Sequence, residues 1–275
     1  MKSLILTIVF LISIFIESEA RIYRNLERFE LSEQDRSRYE IRPDDKTNSL
    51  INENIFSKVI HRIESLYLND FLEKGLIVNF NYDWEMSYFS AWAHDDAPPV
   101  YSLNFWGGMA RIPGMNEYGW AFIVCHEVGH LLGGAPYNDI KFYLWASAEG
   151  QADYFASAHC LKRYFSNYPY KGIKINLAES VVKQCEGNFH CLNSAKAADS
   201  FSKVLNYLLR DKNEASIQKR SYNKVSKTIF SSYPSKQCRV DTILNAGLCD
   251  NDFHNLNSWD CLQGPGKRSE CWFKN

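Results

Sequence analysis

The spacing of hydrophobic and polar positions predicts one helix, then an extended region. Over residues 50–74, apolar side chains recur at helical spacing on one face. That face carries Ile55, Val59, Ile63 and Leu66. Residues 76–106 are rich in β-branched and aromatic side chains, in LIVNFNYDW and in YSLNFW, and HDDAPP separates the two runs. This composition predicts strands rather than helix.

Helical patterns dominate the second half of the chain. One helix is predicted over residues 117–133, where a Gly-Gly pair ends it. A second, long helix is predicted over 141–166, and two shorter ones over 177–184 and 193–211. The tail from residue 250 is rich in Asn, Asp, Gly and Cys, which predicts loops. The fold class expected is therefore α+β, mainly helical, with a small sheet and a disulfide-rich C-terminal tail.

The first twenty residues have the pattern of a signal peptide. Lys2 precedes an apolar run from Leu4 to Ile16, which is too short to span a bilayer comfortably. Small residues follow, and we predict cleavage after Ala20. The protein would then be exported, to the periplasm or outside the cell, without a stable membrane anchor. An uncleaved anchor is the alternative interpretation. Residues 21–47 are charged and could form a removable pro-piece.

Charge and cysteine content narrow the class of protein. The chain has 31 basic and 32 acidic residues. The predicted signal peptide, residues 1–20, holds one of the basic residues and two of the acidic ones. The mature protein is therefore neutral apart from its histidines, which argues against a nucleic-acid-binding surface. All eight cysteines lie in the mature part, and an even number in an exported chain indicates disulfides.

Spacing suggests some of the disulfide pairs. Cys185 and Cys191 could close a short loop, and Cys261 and Cys271 bracket a turn-rich stretch and could do the same. Cys238 and Cys249 are predicted on one helix, too far apart to bond each other. The remaining two, Cys125 and Cys160, could simply be buried small apolar residues.

The stretch HEVGH, residues 126–130, carries the clearest chemistry. On a helix, His126 and His130 share a face and can direct two imidazoles at one metal ion. Glu127 lies beside them as a candidate general base. The helix around the motif is apolar, where unpaired polar groups are costly. The alternative is a helix whose histidines face solvent.

A catalytic zinc ion needs a third protein ligand. The pattern H-E-x-x-H-x-x-G-x-x-H is excluded, because Pro136 occupies the third-ligand position and no Met lies downstream. Glu149, in ASAEGQADYFA, is the candidate ligand, and Asp153 is one turn further along the same predicted helix. Asp153 could accept a hydrogen bond from a ligating histidine. An ordinary exposed glutamate is the alternative for Glu149.

HEVGH followed by EGQAD, residues 149–153, resembles the Glu-liganded zinc metallopeptidases (gluzincins). It is most similar to the family of the CAAX prenyl protease and the HtpX-like proteases. The resemblance implies a zincin-like domain, with zinc bound by His126, His130 and Glu149, and with Asp153 orienting His126. It covers residues 88–165 well and 228–245 weakly. The family's better-known members are embedded in membranes, whereas this chain has no further long apolar run.

The resemblance also implies a second part of the site. In that family a His-Pro pair is followed by Arg five residues after the Pro, and here Tyr233-Pro234 is followed by Arg239 at that spacing. Tyr233 would replace the histidine as an oxyanion donor, and the alternative is a plain turn. The family further implies a sheet edge at residues 98–108, where substrate would lie extended. A plain core strand is the alternative there.

The sequence thus predicts a secreted zinc-dependent endopeptidase that binds an extended peptide or protein substrate, with one catalytic zinc ion. The predicted segments are a signal peptide (1–20), an N-terminal helical and charged region (21–75), the peptidase domain (76–250) and the Cys-containing tail (251–275). A zinc aminopeptidase is a weaker alternative, because GMNE at 114–117 has the wrong order and lies too close to the motif. The other alternative is an exported zinc-binding protein without proteolytic activity, which would act in binding or adhesion. The oligomeric state is not predicted.

Overall fold

The computed structural model describes residues 39–166, 176–210 and 212–274. The chain divides into two compact units, Met1–Glu40 and Ile41–Asn275, and all the helices and strands described belong to the second. The predicted signal peptide and residues 21–38 of the charged segment lie outside the described residues. In the described part, no helix is both long enough and apolar enough to cross a membrane.

The first helix, α1, spans Glu53–Glu73 and forms close to where the periodicity predicts it. The side chain of Asn52 caps it by accepting a hydrogen bond from the backbone N–H of Ile55. Its buried face is apolar and aromatic, and consists of Phe56, Val59, Ile60, Ile63, Tyr67 and Phe71. This face packs against the central helix of the protein and against the first strand.

Three strands follow: β1 (Ile77–Asp83), β2 (Ala91–Ala97) and β3 (Val100–Trp106). Their order in the sheet is β1-β3-β2, with β1 parallel and β2 antiparallel to β3. The first four letters of HDDAPP belong to β2, so that Pro98 and Pro99 alone separate the last two strands. Because β3 is paired on both sides, the expected sheet edge at residues 98–108 is wrong. The edge strands are β1 and β2.

A short helix, α2 (Gly107–Ala110), leads into the central helix α3 (Glu117–Leu132). Asn116 caps α3 by accepting a hydrogen bond from the backbone N–H of Gly119. Almost every residue of α3 is buried, because α1, the sheet and later helices surround it. The metal-binding motif therefore lies on a helix in the centre of the core, and the interpretation that its histidines face solvent is wrong.

The predicted helix over 141–166 begins eight residues later than expected. Helix α4 spans Glu149–Phe155 and continues through a π-helical turn, Ala156–Cys160, into α5, Leu161–Phe165. The backbone before it pairs with the last turn of α3 and with the segment that follows. The N–H of Ser147 donates to the carbonyl of His130, and the N–H of Ala148 donates to the carbonyl of Pro136. These tertiary hydrogen bonds replace the helical ones that local propensity favours.

The remaining helices are α6 (Glu179–Cys185), α7 (Phe189–Leu209) and α8 (Lys236–Ala246). Helix α7 begins four residues before its predicted start, because Asn188 caps its first turn. Both α7 and α4 pack against α3, and α8 packs against α7 and α4. Residues 250–274 form loops, as predicted. The observed class is α+β, with a small three-stranded sheet.

The eight cysteines form four disulfides: Cys125–Cys160, Cys185–Cys191, Cys238–Cys271 and Cys249–Cys261. The predicted Cys185–Cys191 pair is confirmed. The predicted Cys261–Cys271 pair is wrong, because the tail folds back so that Cys271 meets the first turn of α8. Cys125 and Cys160 are bonded rather than free, and join α3 to the π-helical turn. Cys249 lies beyond the end of α8, so the prediction of one helix for Cys238 and Cys249 is also wrong.

His159, in the π-helical turn, is a fully buried histidine of this core. The Tyr67 hydroxyl lies 2.6 Å from its Nδ1. Burial raises the pKa of Tyr67, so the hydroxyl keeps its proton and donates it. The Nε2 of His159 has no hydrogen-bond partner among the described residues. Burial lowers the pKa of His159 well below its usual value, and the imidazole stays neutral in the fold.

Acid should therefore destabilise the protein through His159. Below pH about 6.5 the unfolded chain binds a proton at this position that the folded protein excludes, so stability falls by up to about 1.4 kcal/mol per pH unit. A double substitution, Tyr67→Phe with His159→Phe, removes both partners and should reduce this slope. Urea unfolding of the metal-free protein at pH 7.5, 6.5 and 5.5 measures it. Equal slopes for the parent and the variant would contradict the assignment.

Candidate metal centre

Three side chains from two helices converge at one point in the centre of the fold. His126 and His130 project from α3, and Glu149 is the first residue of α4. The two Nε2 atoms lie 3.1 Å apart, and the Glu149 carboxylate lies 3.3 Å from the first and 3.8 Å from the second. Each residue offers one ligand atom, and these atoms lie within 4.8 Å of one another, so the group could hold a metal ion. The structure thus brings the three predicted ligands together.

The hydrogen bonds around the two imidazoles direct their lone pairs at this point. The Nδ1 of His130 lies 2.9 Å from the carbonyl oxygen of Ser147, and the Nδ1 of His126 lies 2.8 Å from Asp153. Each Nδ1 atom faces an acceptor, and a neutral ring that carries its proton on Nδ1 keeps its Nε2 atom as an acceptor. The buried Oε2 of Glu149 has no hydrogen-bond partner among the described residues. Acceptors that converge in this way could hold a cation.

The close approach of these groups also shifts the pKa values of His126 and Glu149. Burial lowers the pKa of His126, but the nearby carboxylates of Asp153 and Glu149 outweigh it and raise that pKa to about 10. Burial raises the pKa of Glu149, but His126 and other nearby positive charges lower it to about 2. A proton held by His126 thus compensates the carboxylates. A metal ion would displace that proton, as is general for histidine ligands.

Close packing of α3 on α4 brings Glu149, the third candidate ligand, within reach of the two histidines. A Cβ atom built on Gly129, between the two histidines, would lie 2.9 Å from the carbonyl oxygen of Ala152 and 3.0 Å from its Cα. Only a glycine allows this approach without displacement of the backbone. The glycine in HEVGH therefore sets the distance between the helices.

An ion pair behind the ligands holds His126 in place. Arg239, from α8, contacts Asp153 through two nitrogens, with Nε 2.7 Å from Oδ2 and Nη2 2.8 Å from Oδ1. Both side chains are buried, and Arg239 keeps the pKa of Asp153 low despite that burial. The two predicted residues thus form one chain of contacts from α8 to the imidazole of His126. Such contacts orient a ligand and strengthen its basicity.

Glu127 and Tyr233 complete the group of predicted residues. Glu127 is buried beside the two histidines on α3, and burial raises the pKa of its carboxyl group. Tyr233 lies in the segment before α8, and the nearby charge of Glu149 raises the pKa of its hydroxyl. Its side chain is 67% exposed, and the Arg239 guanidinium lies 5.1 Å from its ring centroid. A protonated, accessible hydroxyl therefore lies at the rim of the site.

The C-terminal tail supports the site in a way that the sequence did not predict. The Nε of Arg268 donates to Gln151, and Gln151 donates in turn to the carbonyl of Gly133, just after α3. A Cβ on Gly150 would lie 2.3 Å from the indole of Trp272, so the tail also packs directly on α4. Gln151 lies inside EGQAD and could have been suspected, whereas Arg268 and Trp272 carry no local signal.

The other histidines lie apart from this group. His61 contacts Tyr82, His94 is exposed near Asp96, and His159 is buried against Tyr67. His190 packs against the ring of Phe253, as does His254. In residues 39–166, 176–210 and 212–274, the group of His126, His130 and Glu149 is the one set of three metal-ligating side chains that meets at a point.

Comparisons with known proteins identified no relative of this chain. No family model, no curated protein and no solved structure matches this chain. Any statement on function therefore depends on the residues of the site themselves.

Asp153→Asn should weaken metal binding by roughly tenfold to a hundredfold, because the amide orients and polarises His126 less well than the carboxylate does. Competition with a chromophoric zinc chelator measures the affinity. Asp70→Asn is the matched control, since Asp70 forms an ion pair with Arg163 at 2.6 Å and does not contact the ligands. Equal losses of affinity in the two variants would show that Asp153 acts only on global stability.

Proposed function

We propose that this protein is an exported zinc-dependent endopeptidase. The observation that carries the proposal is the convergence of two imidazoles and a carboxylate, with a buried carboxyl group, that of Glu127, beside them. Two histidines and one glutamate are a ligand set typical of catalytic zinc, which keeps a coordination position open. A structural site usually has four protein ligands, and needs no adjacent base.

When bound, zinc supplies Lewis acidity, which polarises the carbonyl of a peptide bond and lowers the pKa of water. The chain's own residues move the proton. Glu127 accepts a proton from the attacking water as the new C–O bond forms. It then gives that proton to the leaving amine nitrogen as the C–N bond breaks. A raised pKa suits this double role, because the carboxylate must be basic enough to take the proton.

In this proposal, Tyr233 assists at the carbonyl oxygen. Its hydroxyl is protonated, because the charge of Glu149 raises its pKa, and its side chain is accessible from outside. A hydroxyl donor near the developing oxyanion stabilises the transition state more than the substrate. Arg239 supports the ring of Tyr233 on one side and Asp153 on the other. This single residue therefore connects the hydroxyl donor to the histidine ligand.

An extended substrate would pair with β2 rather than with β3. Strand β2 is an edge strand of the sheet and packs against α3, the helix that carries His126 and His130. The main chain of an added peptide could form hydrogen bonds with such an edge, largely independent of its sequence. The resemblance to gluzincins supports this arrangement, in which β2 would take the role that was expected for residues 98–108.

Export is supported by two features of the chain. The N-terminal leader has the pattern of a signal peptide, and all eight cysteines form disulfides. Disulfides in this number are typical of proteins from oxidising compartments outside the cytoplasm. The second candidate function, zinc binding without catalysis, would not need the buried base.

Glu127→Gln should abolish proteolysis and keep the metal. Loss of the general base should lower kcat by about 10²–10⁴-fold, while the ligands and their hydrogen bonds are untouched. Zinc content and cleavage of unfolded casein are measured side by side for the parent and the variant. Glu53→Gln, at the exposed start of α1, is the control. Zinc in both proteins with no cleavage by the parent would favour the non-catalytic alternative, and absence of zinc from the parent would contradict the site.

Tyr233→Phe should lower kcat by about 100-fold and leave KM nearly unchanged, because the hydroxyl acts mainly in the transition state. Steady-state kinetics on a fluorogenic peptide separate the two constants. Tyr222→Phe removes the hydroxyl of another exposed tyrosine, 88% accessible, and should have no effect. A rise in KM at constant kcat would instead place Tyr233 in substrate binding.

A further inference from the structure

The segment between α3 and α4 exposes an unusual amount of apolar surface. Residues 137–147, which we name the aromatic loop, include five large hydrophobic side chains that are more than 40% accessible. These are Tyr137 (48%), Ile140 (42%), Phe142 (72%), Tyr143 (47%) and Leu144 (58%). Single exposed hydrophobic residues are normal on a protein surface, but a contiguous group of this kind marks an interaction site.

The aromatic loop has a defined shape. Its two ends pair across its base, where the N–H of Asn138 donates to the carbonyl of Ala146 and a β-bridge joins Tyr137 to Ser147. Within the loop, the N–H of Tyr143 donates to Ile140, and the indole of Trp145 donates to the carbonyl of Phe142. The backbone is thus hydrogen-bonded internally, while the apolar side chains point outward.

This loop is continuous with the metal centre. Ser147, at its base, accepts the hydrogen bond of His130 Nδ1, and Glu149 follows two residues later. At its far side, the ring of Trp145 lies 5.3 Å from that of Tyr101, which pairs with Asp95 of the edge strand β2. The loop therefore connects the ligands to the end of the strand that we assign to the substrate. A peptide paired with β2 and positioned over the metal centre would pass beside it.

We infer that the aromatic loop binds large apolar side chains of the substrate next to the scissile bond. This inference rests on the proposed peptidase function and adds a substrate class to it. The loop carries one acidic residue, Asp139, and one basic residue, Lys141, so it has no charge that would attract an anionic lipid surface. Apolar contact with one large side chain changes kcat/KM by about tenfold or more.

The test uses the mature, zinc-loaded protein and two matched double variants. Phe142→Gln with Leu144→Gln removes the two most exposed apolar side chains of the loop. Leu68→Gln with Leu72→Gln removes similarly exposed leucines, 56% and 63% accessible, from α1 and serves as the control. Zinc content and circular dichroism of both variants should match the parent, because none of the four side chains is buried.

Cleavage sites in unfolded casein are mapped by mass spectrometry. The parent should show large apolar residues enriched at one position beside the scissile bond, and the loop variant should lose that enrichment. For a matched pair of peptides, one with Leu-Phe-Leu and one with Gln-Ser-Gln at the centre, the loop variant should lose about tenfold in kcat/KM on the first alone. A parent without apolar preference, or an unchanged profile in the loop variant, overturns the inference.

Peptide binding separates this inference from the proposed function. Fluorescence anisotropy with the same two peptides is measured on zinc-loaded Glu127→Gln protein, with and without the loop substitutions. Selective loss of Leu-Phe-Leu binding supports the loop assignment even if the parent cleaves nothing, an outcome that would overturn only the peptidase proposal. If the Glu127→Gln protein with an intact loop binds both peptides equally, the loop assignment is overturned. Co-sedimentation with phosphatidylcholine vesicles and self-association in sedimentation velocity are measured as well. If the loop substitutions abolish either of these but leave peptide binding unchanged, the loop assignment is also overturned.

Discussion

The structure depends on one electrostatic constraint: three acceptor atoms are held together in a buried place where they repel one another unless a cation is present. Burial would ordinarily drive such groups apart or neutralise them. Here each is restrained from behind. Ser147 holds His130 through a backbone carbonyl, Asp153 holds His126, and the start of α4 places Glu149 against both. A proton on His126 compensates the carboxylates, so the raised pKa of His126 and the lowered pKa of Glu149 follow from the same geometry.

Much of the remaining architecture supports this arrangement. Helix α3 is buried on nearly all sides, and its close approach to α4 requires the glycine at 129. Helix α8 supplies Arg239, and the disulfide from the neighbouring Cys238 attaches the C-terminal tail to the same helix turn. The tail returns through Arg268 and Gln151 to the end of α3. A segment that has no regular secondary structure thus reaches the centre through side-chain hydrogen bonds.

The outer face of the site is organised differently from its base. Behind the ligands the contacts are ionic or hydrogen-bonded and buried, whereas at the rim Tyr233 and the aromatic loop are exposed. This division would suit the proposed hydrolytic function, because metal ligands must be rigid while a substrate needs open access. The edge position of β2 depends on the order of strands in the sheet rather than on its own sequence.

The sequence by itself determined the local elements and the chemistry of the site. Helical spacing identified α1 and α3, and the four-residue spacing of His126 and His130 brought both imidazoles to one face. These properties are set within a few turns of helix, so a short window contains them. Tertiary structure decided the late start of α4, the edge position of β2, the disulfide partners of Cys125 and Cys271, and the role of Arg268. Each of these results from contacts between residues far apart in the chain, where long-range hydrogen bonds and packing outweigh local propensity.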